Sequence, residues 1–156
     1  MSVARVLTAI ACAATLSYSA VLLAQNHPEA EKIMTDRHEN FEKIGGSFKT
    51  IRDQLRGDRD IAAVTAAAQT INELAPQVAT WFPAGTGPET GIETRALANI
   101  WEDQDGFSAA AEKLVTQAGN MLAAAQSGDL DQVAGNVRNL GGACGGCHDN
   151  YRTEED

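Results

Sequence analysis

The chain has 156 residues, enough for one ordinary domain, with 44% hydrophobic and 21% charged, a globular balance. A formal net charge of −9 repels phosphate backbones and argues against a nucleic-acid partner. Only 5% of residues are aromatic, and alanine runs such as Ile61–Ala68 and Ala109–Ala111 favour packed helices over a sheet.

Residues 1–24 read as a leader outside the fold. Arg5 supplies one positive charge and Val6–Ala24 carries none, the pattern of a secretory signal with cleavage expected near Ala24 and Gln25. The competing reading is an uncleaved anchor, since the uncharged run approaches the length of a bilayer span. Cleavage removes Cys12 and leaves Cys144 and Cys147, three apart, which make no disulfide framework despite export. Residues 25–156 then form the single folded domain.

Four helix-length segments follow. The first is expected from about Pro28, which suits the first turn of a helix, to Leu55. Ile33, Met34, Phe41, Ile44, Phe48, Ile51 and Leu55 form its apolar stripe, and Arg56-Gly57-Asp58 breaks it. The second, near Asp60 to Trp81, places Ile61, Val64, Ala68, Ile71, Leu74 and Val78 on one face, with Pro76 kinking it or ending its regular part. Phe82–Gly91 holds two prolines and three glycines and reads as a loop. The third segment is expected from roughly Glu93 to Gln126, as one helix or as two pieces broken around Asp105-Gly106. After Ser127-Gly128, Asp129 caps the last helix with Gln132 at capping-box spacing, and that helix runs to about Arg152. Four such segments with short connections imply an all-α fold, an antiparallel four-helix bundle. Helices of about 22–28 residues span ~33–42 Å, long enough to enclose a flat cofactor.

The chemistry sits at the C-terminus. Cys144-Gly145-Gly146-Cys147-His148 matches C-x-x-C-H, the pattern of covalent haem attachment. Cysteines three apart share a helix face, close enough for thioether bonds to both vinyl groups of one haem, and His148 can reach iron from that side. Gly145 and Gly146 sacrifice about 1 kcal/mol each of helix propensity relative to alanine. In exchange they leave room beside the backbone, and Gly141 and Gly142 extend it one turn earlier. A structural zinc site needs four ligands, and no second cysteine pair exists, so His27 and His38 would have to fold across the chain. A thioredoxin-like motif expects a βαβ context. A disulfide between residues three apart on one helix would constrain almost nothing.

A bundle ending in CGGCHDNYR, Cys144–Arg152, resembles the cytochrome c prime family of bacterial periplasmic cytochromes, with its C-x-x-C-H-x-x-[YF]-R ending. The likeness extends over Leu130–Cys144, over Ile100-Trp101 before Phe107, and over Trp81-Phe82-Pro83 with Gly85-Thr86-Gly87. It implies one covalent haem c on Cys144 and Cys147, with His148 as axial iron ligand, in a periplasmic protein. Mitochondrial-type cytochromes c differ, carrying C-x-x-C-H near the N-terminus.

Low-spin members of the family close the sixth iron position with a methionine on the first helix. Aligning Gly45-Gly46 and Phe48–Gly57 with the family puts Phe41 there, and phenylalanine cannot ligate. The resemblance therefore implies five-coordinate, high-spin iron with an apolar face open to nitric oxide and carbon monoxide, pocket polarity being what separates haem functions. His38, three residues before Phe41, offers the alternative: a sixth ligand that would make a low-spin electron carrier of the same fold. Met34 lies two turns from Phe41 and reads as core. Arg37 is placed to pair with a haem propionate, Arg152 to lie beside the proximal histidine, and Thr94 and Arg95 to approach the haem edge. Trp81 and Trp101 read as core. No acid–base constellation suggests an enzyme. The partners implied are a small diatomic gas, an unidentified redox partner and a second copy in a homodimer.

Overall fold

The computed structural model describes residues 28–154, so the expected signal segment, residues 1–24, lies outside the described residues. Helix α1 spans Pro28–Arg56, with Pro28 opening it and Glu29 and Glu31 in its first turn. There the missing N–H costs nothing, and carboxylates complement the positive end of the helix dipole. Helix α2, Ile61–Leu74, is capped by Asp60, whose carboxylate accepts from the N–H groups of Ala62 and Ala63. The chain then tightens into a 3₁₀ helix over Ala75–Trp81, with Pro76 in its first turn. Pro76 thus ends the regular α-helix without breaking the rod, since a proline is tolerated where a new helical turn begins.

The loop from Phe82 contains one short 3₁₀ turn, Pro88–Thr90, closed by Gly91 in the left-handed region at φ 71°. Helix α3 is a single turn, Asn99–Glu102; α4 spans Gln104–Gln126 and α5 spans Leu130–Tyr151. The expected third segment needs correction on two points. It begins at Asn99 rather than Glu93, because residues before it are extended: Leu97 N donates to Tyr151 O and Thr153 N to Arg95 O, with an isolated bridge between Ala96 and Arg152. Its break falls at Asp103 rather than Asp105-Gly106, because the Asp103 carboxylate accepts from Gly106 N and caps α4. Any Cβ on Gly106 would collide with that carboxylate and with the Tyr151 hydroxyl. At the other turn Asp129 caps α5 as expected, and the Gln132 amide returns a hydrogen bond to the Asp129 carboxylate.

In the bundle, α1 packs on α2, α2 on α4 and α4 on α5, and α5 meets α1 much more sparsely to close the ring. The core between them runs through Ile44, Ile51, Val64, Ala68, Ile71, Val78, Ala118, Met121, Val133 and Leu140. The abundant alanines sit at these contacts, Ala68, Ala118 and Ala125 being fully covered, so helices approach closely without large side chains. Where Gly141 of α5 faces Phe48 of α1, a Cβ would stand 3.4 Å from the ring. Among the described residues no helix is long and apolar enough to cross a membrane.

Candidate haem site

On α5 the residues Val133, Val137, Leu140, Cys144, Cys147 and Tyr151 repeat at spacings of four and three. Both cysteines therefore occupy seam positions and pack against the core, half-buried. Burial pushes both thiols above their usual range, and for Cys147 the neighbouring Cys144 adds to it. They are neutral thiols side by side on the inward face of one helix. His148, one residue further round, is exposed, and its Nδ1 lies 3.3 Å from Arg152 Nη1. Arg152 is thus beside the imidazole, where the sequence places it. Its backbone is fixed there by the bridge to Ala96 and by Arg152 N donating to His148 O.

Three features fit a flat, anionic cofactor between α1 and α5. That side of the bundle is the least closely packed. Around the two cysteines α5 carries no side chain at Gly142, Gly145 or Gly146, and a Cβ at any of them would stand in open space. Finally, a buried cation stands on α1. Arg37 is only 5% exposed, and burial pulls its pKa below the ordinary arginine value. Its contacts are all with neutral groups. Nη1 donates to Trp81 O at 3.4 Å and to Thr86 Oγ1 at 3.4 Å, and Nη2 to Thr86 O at 3.2 Å and Thr94 Oγ1 at 3.3 Å. The guanidinium lies 4.4 Å over the Phe82 ring. A buried charge held only by long bonds to neutral acceptors suits an anion such as a propionate.

Thr94 is thus gathered to Arg37, and Arg95 is brought to the end of α5, its Nη2 donating to Thr153 O at 3.4 Å. Phe41 is half-buried, one turn beyond Arg37, with its ring edge-on to Trp81 at 5.1 Å. His38 is exposed on α1 and does not share that packing. Met34 is buried as core, with Thr90 Oγ1 donating toward its sulfur at 3.9 Å.

Sequence reasoning gave no role to Thr86, which the structure buries as the chief partner of Arg37. A signal existed. Met34, Arg37, Phe41, Ile44, Phe48 and Ile51 repeat at three and four, so a cation stands inside an apolar stripe and needs buried partners. The joint placement of Trp81, Phe82 and Trp101 had no such signal. Trp101 Nε1 donates to the carbonyls of Phe82 and Pro83, both at 3.0 Å, and Gly87 lies so close to the indole that no side chain fits there.

Residues 32–152 match the model of the family Cytochrome C'. The chain belongs to the cytochrome c prime family. It is 38% identical to a cytochrome c-556 of Agrobacterium fabrum over 117 residues, 74% of this chain and 77% of that protein. The crystal structure of cytochrome c' from Rubrivivax gelatinosus superposes with a TM-score of 0.72 at 28% identity, covering 80% of this chain and 97% of that one. A cytochrome c prime mutant from Alcaligenes xylosoxidans, described as a nitric oxide complex, shares the fold at a TM-score of 0.72 and 23% identity, covering 81% of this chain and 97% of that one. Members of the cytochrome c prime family bind one covalent haem c, and this chain is a c-type cytochrome of that bundle architecture.

Proposed function

We propose that this cytochrome c prime is a periplasmic haem protein that binds nitric oxide or carbon monoxide at five-coordinate, high-spin iron. Cys144 and Cys147 would hold the haem through thioethers and His148 would ligate iron. Arg37, with Thr94 beside it, would pair with the propionates, Arg95 would approach the haem edge, and Arg152 would lie beside His148. The haem supplies an iron centre that binds diatomics and passes single electrons. The protein's own part is to leave one axial side apolar.

The observation that carries this reading is the position of Phe41. The first-helix site where low-spin relatives place methionine holds a ring that cannot ligate, packed against Trp81 and Phe82. The nearest sulfur on α1, Met34, is committed to the core, and His38 points to solvent exposure. An apolar distal side admits neutral diatomics while giving bound oxygen no hydrogen-bond donor. The nitric oxide complex of the Alcaligenes xylosoxidans relative belongs to that protein, and by likeness the same ligand class is assigned here. Electron exchange with a redox partner is a compatible second activity of open haem, and no enzymatic turnover is assigned. The working unit is a homodimer, and residues 1–24 direct export.

The test is the absorption spectrum of the purified, reduced protein before and after nitric oxide. High-spin bands that change with the gas are expected. A low-spin spectrum that ignores the gas would overturn the reading and point to a closed sixth position, with His38 the first ligand to examine.

A further inference from the structure

We propose that Trp81 is a positioning residue that clamps the Phe41 ring and thereby sets how fast a gas enters. This rests on the reading that Phe41 covers the sixth position. The two rings meet edge to face, 5.1 Å between centroids and 90° between planes. Such a pair has a preferred geometry, because the positive edge of one ring seeks the negative face of the other. Phe41 also lies 6.2 Å from Phe82 at a tilt.

Phe41 is half-buried against the edge of the core, and one turn further along α1 stands Gly45, which offers no side chain to brace it. Trp81 is joined through its backbone to a wider set of contacts. Its carbonyl accepts from Arg37, whose guanidinium also covers Phe82. Phe82 is wedged edge-on against Phe107 at 4.9 Å and Trp101 at 5.9 Å, and the Trp101 indole holds its carbonyl. The Phe41 ring therefore leans on a residue tied by its carbonyl to Arg37 and followed in sequence by the wedged Phe82. A ligand that must wait for the ring to swing away binds at a rate scaled by the fraction of time it is away. The strength of the Trp81 contact sets that fraction.

Rapid mixing of the reduced holoprotein with carbon monoxide tests this. Trp81→Ala should raise the association rate on the order of threefold to tenfold, the range an aromatic pair contributes. Trp81→Phe, which keeps an edge, should raise it less. In a Phe41→Ala background, Trp81→Ala should change nothing further, a coupling that general loosening of the loop would not produce. The tryptophan band in near-ultraviolet circular dichroism, read without any gas, should weaken in each single variant and no further in the double. An unchanged or slower rate in Trp81→Ala, or an equal gain with and without Phe41, overturns the clamp. Should Trp81→Ala fail to retain haem, the same cycle run with Trp81→Phe decides, with about a twofold gain expected. Phe41→Ala separates the two levels: if it fails to accelerate binding, the placement of Phe41 over the iron is wrong. If it accelerates and Trp81→Ala does not, only the clamp fails.

Discussion

The two ends of this bundle are held together by different kinds of contact. Where α1 turns into α2 and α4 into α5, the chain is organised by neighbours: Asp60 caps Ala62 and Ala63, Asp129 caps Asp131 and Gln132, and Gln54 reaches Asp60 N. The tie between the two turns, Arg59 to Asp131 at 3.6 Å, is exposed and contributes little. At the opposite end local turn bonds are joined by a set of side-chain bonds that cross the chain. Arg37 joins α1 to the loop at Thr86 and Thr94, Tyr151 OH donates to Asp103 at 2.8 Å, and Asn99 Nδ2 donates to Asn150 O at 2.7 Å. A chain of rings, Phe41, Phe82, Phe107 and Tyr151, runs through it. One end closes the fold. The other builds a site, and it does so with groups that have little local reason to be where they are.

Removing the two proposed haem anchors should separate the ends most strongly. With both Cys144→Ala and Cys147→Ala, mass spectrometry of the denatured protein is expected to find bare polypeptide. Hydrogen exchange should accelerate around residues 82–98 while Val64, Ala125 and Val133 stay protected. Equal loss of protection at both ends would show that they form one cooperative unit.

Arg37→Met comes next. It deletes the hydrogen bonds that gather Trp81, Thr86 and Thr94, at a cost of about 2 kcal/mol in urea unfolding, as expected for bonds from a charged donor. Because methionine removes the buried charge as well, the loss should be confined to the loop. A variant as stable as the parent would mean that the cation and its neutral acceptors merely balance.

The smallest effect belongs to the closed end. Hydrogen bonds from the Gln132 side chain, then from the backbone N–H groups of Gln132 and Asp131, hold the Asp129 carboxylate below its usual pKa. A depressed folded-state pKa contributes stability that is full above the unfolded aspartate value of about 3.9 and is lost as pH falls through the folded value. Denaturation midpoints measured from pH 5 down to pH 2 should therefore fall less steeply in Asp129→Asn than in the parent. Parallel curves would remove Asp129 from the acid limb.

The same division explains what could be read in advance. The helix ends at Asp60 and Asp129 and the inward stripes of α1 and α5 follow from spacing, because a cap or a periodic face acts within a turn or two of its own residue. The haem motif was legible for the same reason, its cysteines lying one turn apart. The segment 93–98 was misjudged because its backbone is satisfied by Tyr151 and Thr153, more than fifty residues away, and no local pattern announces such pairing.

Composition and periodicity on their own determined an all-α chain, four rods, and a thiol pair with its imidazole on the last of them. The spacing of α1 also puts Arg37 on its inward stripe, but only the tertiary structure decided that its partners are neutral acceptors, that Thr86 is chief among them, and that Phe41 rests on Trp81. Those placements depend on which distant groups meet when the helices pack: spacing can show that a residue faces inward, but not which group some forty to sixty residues away it will meet.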